Sequence, residues 1–200
     1  MKLISIVVMS TSPTLPEPIL LAQQHQLSSF QFFQRKSVQE MSIFLARSAG
    51  KKATVGQRNS LDHEGHSAHY YQKGNGLVGF VITDQEYPDK KAHALVQAVL
   101  NKFEETISDW KTKTSDHNYD VPFINEAIQK FQDPNQNDKI GLTLKEIEAV
   151  KNIMHKNIEQ TLGRGDEIDN LVQKSADLSS RSKQFYKQTK ALPKSCCSIQ

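Results

Sequence analysis

The hydropathy pattern of this 200-residue chain predicts an α+β fold: a β-sheet with helices packed on it over residues 1–131, then a coiled-coil helix over residues 139–192. Three observations carry that expectation. Apolar, β-branched runs in the first half alternate with stretches of helical period. A polar segment broken by proline, Gln132-Asp133-Pro134-Asn135-Gln136-Asn137-Asp138, has nothing to bury and reads as a linker over 132–138. Beyond it proline is absent until Pro193, strand formers thin out, and apolar residues recur at alternating spacings of three and four.

Residues 3–9 form a continuous β-branched run and read as the first strand. They make a poor signal peptide, because the apolar run is brief, follows one lysine, and ends in Pro13, Pro16 and Pro18 without a cleavage site. Residues 19–22 supply a partner strand. Val38, Met41, Phe44 and Leu45 recur at helical spacing and share one face of an amphipathic helix. Tyr70-Tyr71 and residues 77–83 read as strands joined across Gly74-Asn75-Gly76, since Asn-Gly is the strongest short hairpin signal. Pro88 suits a helix start, where its missing N–H is not needed. Behind it Ala92, Leu95, Val96, Val99, Leu100, Phe103 and Ile107 form a long apolar stripe, and Phe123, Ile124, Ala127, Ile128 and Phe131 a shorter one. The resulting order is β-β-α-β-β-α-α.

In the second half, Ile140, Ile147, Val150, Met154, Ile168, Leu171, Leu178, Phe185 and Leu192 mark a heptad seam. Thr143, Asn157, Thr161, Ser175, Ser182 and Thr189 fill the gaps in its register. All six are small or amide-bearing, so the seam is too polar for a strong homodimeric zipper and has little to bury until partners arrive. Arg164 falls in the same register, three after Thr161 and four before Ile168. A guanidinium on a buried seam costs several kcal/mol unless its five donors are met, and glutamine side chains of neighbouring helices would meet them without adding countercharge. The plainer reading is that Arg164 snorkels to solvent. Gly163 and Gly165 each cost a helix interior roughly 1 kcal/mol, so contacts from outside must hold the helix there.

The last four residues, Cys197-Ser198-Ile199-Gln200, form a C-a-a-X box, preceded directly by Cys196, and these are the only two cysteines in the chain. The box calls for a prenyl group on Cys197, farnesyl given the terminal Gln. One such chain binds a bilayer weakly and reversibly, so Cys196 is expected to carry a second lipid, palmitoyl or a second prenyl group. The tail, 193–200, is thus a lipid anchor, facing a reducing compartment. Nowhere do about 18 apolar residues run together, so no spanning helix is expected. A net charge of +3 without a basic stripe points away from nucleic acid. His63, His66 and His69 invite a metal reading, but at strand spacing they alternate faces and would not converge, so no metal site is expected. No phosphate-binding loop, acid–base pair or activated nucleophile stands out, so neither a cofactor nor an enzymatic activity is expected.

The stretch 140–192, with Thr161-Leu162-Gly163-Arg164-Gly165-Asp166-Glu167-Ile168-Asp169-Asn170-Leu171 at its centre, resembles the core motif of R-SNAREs. In that family the arginine is the central-layer residue that meets three glutamines from partner helices, which would make Arg164 that residue. Gly163 departs from the charged or polar residue often found before it. The first half resembles a longin domain through Ser28-Ser29-Phe30, Phe32-Phe33-Gln34-Arg35 and Ser37-Val38-Gln39-Glu40. With the Cys-Cys-a-a-X end, the whole chain is similar to the prenylated longin R-SNAREs, whose relatives otherwise end in a transmembrane helix.

The resemblance implies a five-stranded longin sheet and a fusion protein of the secretory and endosomal pathway. It would sit in the cytosol and on the cytoplasmic face of Golgi, ER, endosomal or vacuolar membranes. Implied partners are syntaxin-like and other Q-SNAREs in a four-helix bundle, the SNARE disassembly machinery, and membrane lipid. It also implies that the face of Val38, Met41, Phe44 and Leu45, Phe44 above all, closes the longin domain over the SNARE segment and its lipid. A lipid-anchored longin adaptor or tether that does not drive fusion is the alternative; it would have no need of an arginine in register.

Overall fold

The structure, a computed structural model, describes residues 2–12, 15–63, 65–133, 150–163 and 165–191. Its first half contains β1 (Leu3–Ser10), β2 (Ile19–His25), α1 (Phe32–Gly50), β3 (Arg58–His63), β4 (His66–Gln72) and β5 (Leu77–Asp84). After these come α2 (Asp89–Thr106), a 3₁₀ turn at Trp110–Thr112 and α3 (Pro122–Lys130). The described part of the second half forms β6 (Ile153–Asn157), α4 (Ile158–Leu162), α5 (Gly165–Lys174) and α6 (Ser180–Ala191).

The sheet order is β2-β1-β5-β4-β3-β6. All neighbours are antiparallel except β3 and β6, which run parallel with Arg58 opposite Ile153 and Asp62 opposite Asn157. β1 is buried along its whole length, which explains why residues 3–9 read as an unbroken apolar run rather than an alternation. Its Leu3, Ile6 and Val8 face α2 and α3, packing with Val96, Val99, Phe103 and Ile124. Ile4, Val7 and Met9 face α1, packing with Ala46 and Ala49. Gly79 of β5 lies under α2, where a Cβ would stand 2.9 Å from Leu100 Cγ, so the helix can settle there only over glycine. The β4–β5 hairpin turns at Gly76, at φ +90°, with Asn75 Oδ1 accepting from the Leu77 N–H at 3.1 Å.

Several sequence expectations change. The first half contributes the five strands that the resemblance implies, one more than the four read from the residues, because β3 (Arg58–His63) carries no unbroken apolar run; the sheet has a sixth strand, and it comes from the segment expected to be coiled coil. That segment is not one helix in this state; among the described residues it is a strand and three helices. Pro88 does start α2, as its N-cap, with Asp89 as the acidic first-turn residue that suits the helix dipole. Gln132, expected to open the linker, is tied down, its amide donating to the Leu3 and Ile128 carbonyls at 2.7 and 2.8 Å. The rest of the expected linker, 134–138, lies outside the described residues.

The histidines are placed by the sheet. His63 ends β3 and pairs across the turn with His66, which is exposed and stacks on Phe30. His69 points the other way into the core, its Nδ1 2.9 Å from Ser60 Oγ and its Nε2 3.1 Å from Thr83 Oγ1. Ser60 Oγ also lies 3.0 Å from Nε2 of His93, on α2. Burial lowers His69 to about 4 and His93 to about 3, and partial burial lowers His25, at the end of β2, to about 4.

These rings are neutral in the fold but would bind protons in the unfolded chain below their ordinary value of 6.5. Their contribution is therefore complete above that pH and is lost as pH falls from 6.5 towards about 4. The cost is on the order of 2 kcal/mol for each ring. Urea midpoints should drop clearly between pH 7.5 and pH 5.0, and His93→Gln should flatten the dependence. Equal midpoints at the two pH values would count against neutral buried histidines.

Candidate functional site

The C-terminal segment binds the first half along two surfaces. The first is the open edge of β3, whose unpaired N–H and C=O groups form a template for another strand. β6 takes that edge through a backbone ladder, while its Met154 and His155 side chains stay exposed. Ile153 packs half-buried against the α2–α3 core, which Val150 joins fully buried. The Asp89 carboxylate reaches both sides of the seam, lying 3.6 Å from His155 Nε2 and 3.6 Å from the buried His69.

The second surface is the outer face of α1. An α-helix lying on a sheet ordinarily turns one apolar stripe inward and leaves the opposite face polar. α1 has two stripes. Val38, Ala46 and Ala49 face the sheet, with Ser42 Oγ accepting from Ser5 Oγ at 3.1 Å. Phe44 faces away and is buried in a separate cluster with Leu162 of α4, Ile168 and Val172 of α5, and Leu178. Met41, Ile158 and Tyr186 pack around it, and Leu45 touches both clusters. Of the four residues expected to dock the segment, Met41, Phe44 and Leu45 meet it, whereas Val38 packs into the sheet core.

The chain reaches this face by breaking its helix at Gly163, which takes φ +110° and ψ 173°. A Cβ there would collide with the Glu167 side chain. Asn157 caps α4, its Oδ1 accepting from the Gln160 N–H at 2.8 Å while Gln160 Oε1 accepts from the Asn157 N–H at 3.0 Å. Past α5 the chain turns across α1. The Ser179 N–H donates to Glu40 Oε2 at 2.8 Å. Burial works against ionisation of Glu40, but the Ser179 N–H and the hydroxyls of Ser182 and Ser179 outweigh it and hold the carboxyl below its ordinary value.

The expected seam residues are split between burial and exposure. Val150, Thr161, Ile168, Leu178 and Ser182 are buried; Ser175, Phe185 and Thr189 are partly buried. Met154, Asn157 and Leu171 are exposed. Ile140, Thr143, Ile147, Arg164, Leu192, Cys196 and Cys197 lie outside the described residues. Leu162 and Val172 are among the docking residues that escaped the sequence reading. Each stands four after an apolar residue, Ile158 and Ile168, and together they trace a second stripe beside the heptad seam. Also missed was Arg47 of α1, which joins Asp116, Asp177 and the Pro18 carbonyl. Residues so far apart in the chain leave no periodic signal.

Comparisons with known proteins match both halves. A longin family model, described as a regulated-SNARE-like domain, matches residues 27–128, and the synaptobrevin family model matches 139–198. The chain is 36% identical over 200 residues to "VAMP-like protein YKT61" of Arabidopsis thaliana, covering all of both chains. It is 34% identical over 200 residues, again all of both, to "Synaptobrevin homolog ykt6" of Schizosaccharomyces pombe. With "Synaptobrevin homolog YKT6" of Saccharomyces cerevisiae it shares 37% identity over 183 residues, 90% of each chain.

Gly163 generates a direct prediction. Alanine would meet the Glu167 side chain and a backbone conformation that costs an L-residue on the order of 1–3 kcal/mol. In a continuous helix the same change gains roughly 1 kcal/mol. Gly163→Ala should therefore weaken docking and raise helicity. Circular dichroism and hydrogen exchange over 158–189 read both effects; an unchanged spectrum with unchanged exchange would mean that the break does not depend on glycine.

Proposed function

This chain belongs to the YKT6-type longin R-SNAREs, non-enzymatic proteins of vesicle trafficking, and on that premise we propose that it drives membrane fusion under the control of its own longin domain. Residues 1–131 act as the longin domain, 132–138 as a linker, 139–192 as the R-SNARE core and 193–200 as the lipidated tail. The core zips with three Gln-bearing helices of syntaxin-like and other Q-SNAREs from the Ile140 end towards Leu192. Arg164 supplies the central layer. Folding of that bundle draws the secretory or endosomal membranes together, and the SNARE disassembly machinery then recycles the chain. Farnesyl on Cys197 and a palmitoyl or second prenyl group on Cys196 anchor it to the cytoplasmic face of Golgi, ER, endosomal or vacuolar membranes. Among the described residues no helix is long and apolar enough to cross a bilayer, in keeping with a lipid as the anchor.

The observation that carries the regulatory part is the burial of seam residues Thr161, Ile168, Leu178 and Ser182 while the segment lies against the longin domain. A side chain buried there cannot at the same time line the core of a four-helix bundle. Docking on α1 and assembly with Q-SNAREs are then mutually exclusive uses of one surface, and the protein is inactive while closed.

Two mutations separate the roles. Phe44→Glu places a carboxylate in an apolar cluster and should open the protein, speeding its uptake into a complex with purified Q-SNARE helices without lowering the stability of that complex. Arg164→Ala should leave closure unchanged and weaken the assembled complex, since glutamine groups left unpaired cost roughly 1–3 kcal/mol each. Thermal melting of the complex and liposome fusion report the second effect; wild-type values in both for Arg164→Ala would remove the central-layer role.

The anchor has its own test. Cys197→Ser should move the protein wholly to the soluble fraction of a cell lysate, and Cys196→Ser should leave weak, salt-insensitive attachment through the single remaining chain. Continued pelleting of Cys197→Ser with membranes would point to another anchor.

A further inference from the structure

Arg47 lies on α1 three residues beyond Phe44, at the far end of the docking face, and only 12% of its side chain is exposed. Its guanidinium is held from two sides by the longin half. Nη2 donates to Asp116 Oδ2 at 2.7 Å and Nη1 to Asp116 Oδ1 at 3.2 Å. Nη1 also donates to the Pro18 carbonyl. Asp116 is itself fixed, because its Oδ1 accepts from the Leu20 N–H at 2.9 Å and the neighbouring His117 N–H donates to the Leu20 carbonyl at 2.7 Å. Nε points at the C-terminal segment and gives a 2.8 Å hydrogen bond to Asp177 Oδ2. The Asp177 side chain is 15% exposed, so the pair is largely shielded from water and salt.

We propose that Arg47 and Asp116 form a preset carboxylate-binding site in the longin domain, that Asp177 is its ligand, and that this pair latches the SNARE segment closed. The proposal rests on the closed state described above and names the contact that gives it strength and direction. Apolar burial around Phe44 is non-directional and would tolerate the segment sliding along α1. A charge-assisted hydrogen bond to an already oriented guanidinium fixes the register. Asp116 and Pro18 hold Arg47 whether or not the segment is present, so little ordering is needed when Asp177 arrives.

The position of Asp177 gives the latch a separable function. It lies between the seam positions Ser175 and Leu178 and in neither, so no layer of the proposed bundle uses it. Closure can thus be tuned at residue 177 without altering the surface that partner helices bind. Two neighbouring contacts reinforce the clasp: Ser179 on Glu40, and Lys51 of the turn after α1 on Glu17 at 2.5 Å, which steadies the segment leading into Pro18.

The test uses the full-length chain without lipid, as wild type, Asp177→Asn and Phe44→Glu. Asp177→Asn keeps the shape of the side chain, removes its charge, and leaves the Arg47–Asp116 pair intact, so the longin domain stays folded. Replacing the carboxylate by a neutral acceptor weakens this charge-assisted hydrogen bond and should shift the closed–open equilibrium by roughly tenfold. Hydrogen exchange over 158–189 and the rate of uptake by purified Q-SNARE helices should rise by about that factor. The melting temperature of the preformed complex should stay at the wild-type value. If Phe44→Glu accelerates exchange and uptake while Asp177→Asn does not, the latch is overturned and the closed state stands. If neither variant changes them, the closed state falls and the latch with it. A shifted melting temperature for the Asp177→Asn complex would place Asp177 in the bundle and would also overturn the latch.

Discussion

Helix α1 has to be apolar on both sides, and the organisation of the molecule follows from that requirement. Its inner stripe, Val38, Ala46 and Ala49, closes one face of the sheet. Its outer stripe, centred on Phe44, would stand in water unless something covered it. In this structure the cover is the chain's own C-terminal segment, giving four layers: segment, α1, sheet, and the α2–α3 pair. Phe44 is therefore buried without belonging to the core that folds the longin domain. Its environment belongs to an interface between α1 and the segment.

The interface is assembled from contacts that are individually replaceable. β6 binds the β3 edge through backbone hydrogen bonds, with most of its side chains in solvent, so this part of the docking depends little on side-chain identity. α4 is one short turn, α5 follows a glycine break, and helices this short do not persist alone in water. Packing against Phe44, Met41 and Leu45 offsets the cost of ordering them. A segment that is nearly unstructured by itself can be helical in one setting and strand-plus-helix in another.

Charge is distributed to match. The longin half keeps its interior neutral, with His69 and His93 uncharged around Ser60 beneath α2. The most shielded carboxylate–guanidinium pair among the described residues, Arg47 with Asp177, lies where the segment touches α1. Burial opposes the charges of Arg47 and Asp116, yet their mutual hydrogen bonds keep the guanidinium protonated and hold Asp116 below its ordinary value. Such groups add little to the net stability of a folded core, because desolvation nearly cancels attraction. At this interface they define a single docked register, which apolar contacts alone would leave loose.

The sequence by itself determined the two-part organisation, most of the sheet and its covering helices, and the heptad register of the second half. These are matters of local periodicity, and a buried strand or an amphipathic helix writes its period into the residues that form it. Tertiary structure alone decided the rest. Val38 went to the sheet rather than to the dock because two overlapping stripes on one helix cannot be separated by spacing alone. Residues 153–157 became a strand because the β3 edge offered unpaired backbone groups, a feature of the neighbour and not of those residues. Gly163 turned a continuous heptad pattern into a break, since a positive φ is open to glycine whenever packing elsewhere repays the lost helix. The meeting of Arg47 with Asp116 and Asp177 depends on three loops and helices brought together by the finished fold. A contact across 69 or 130 residues has no period to read.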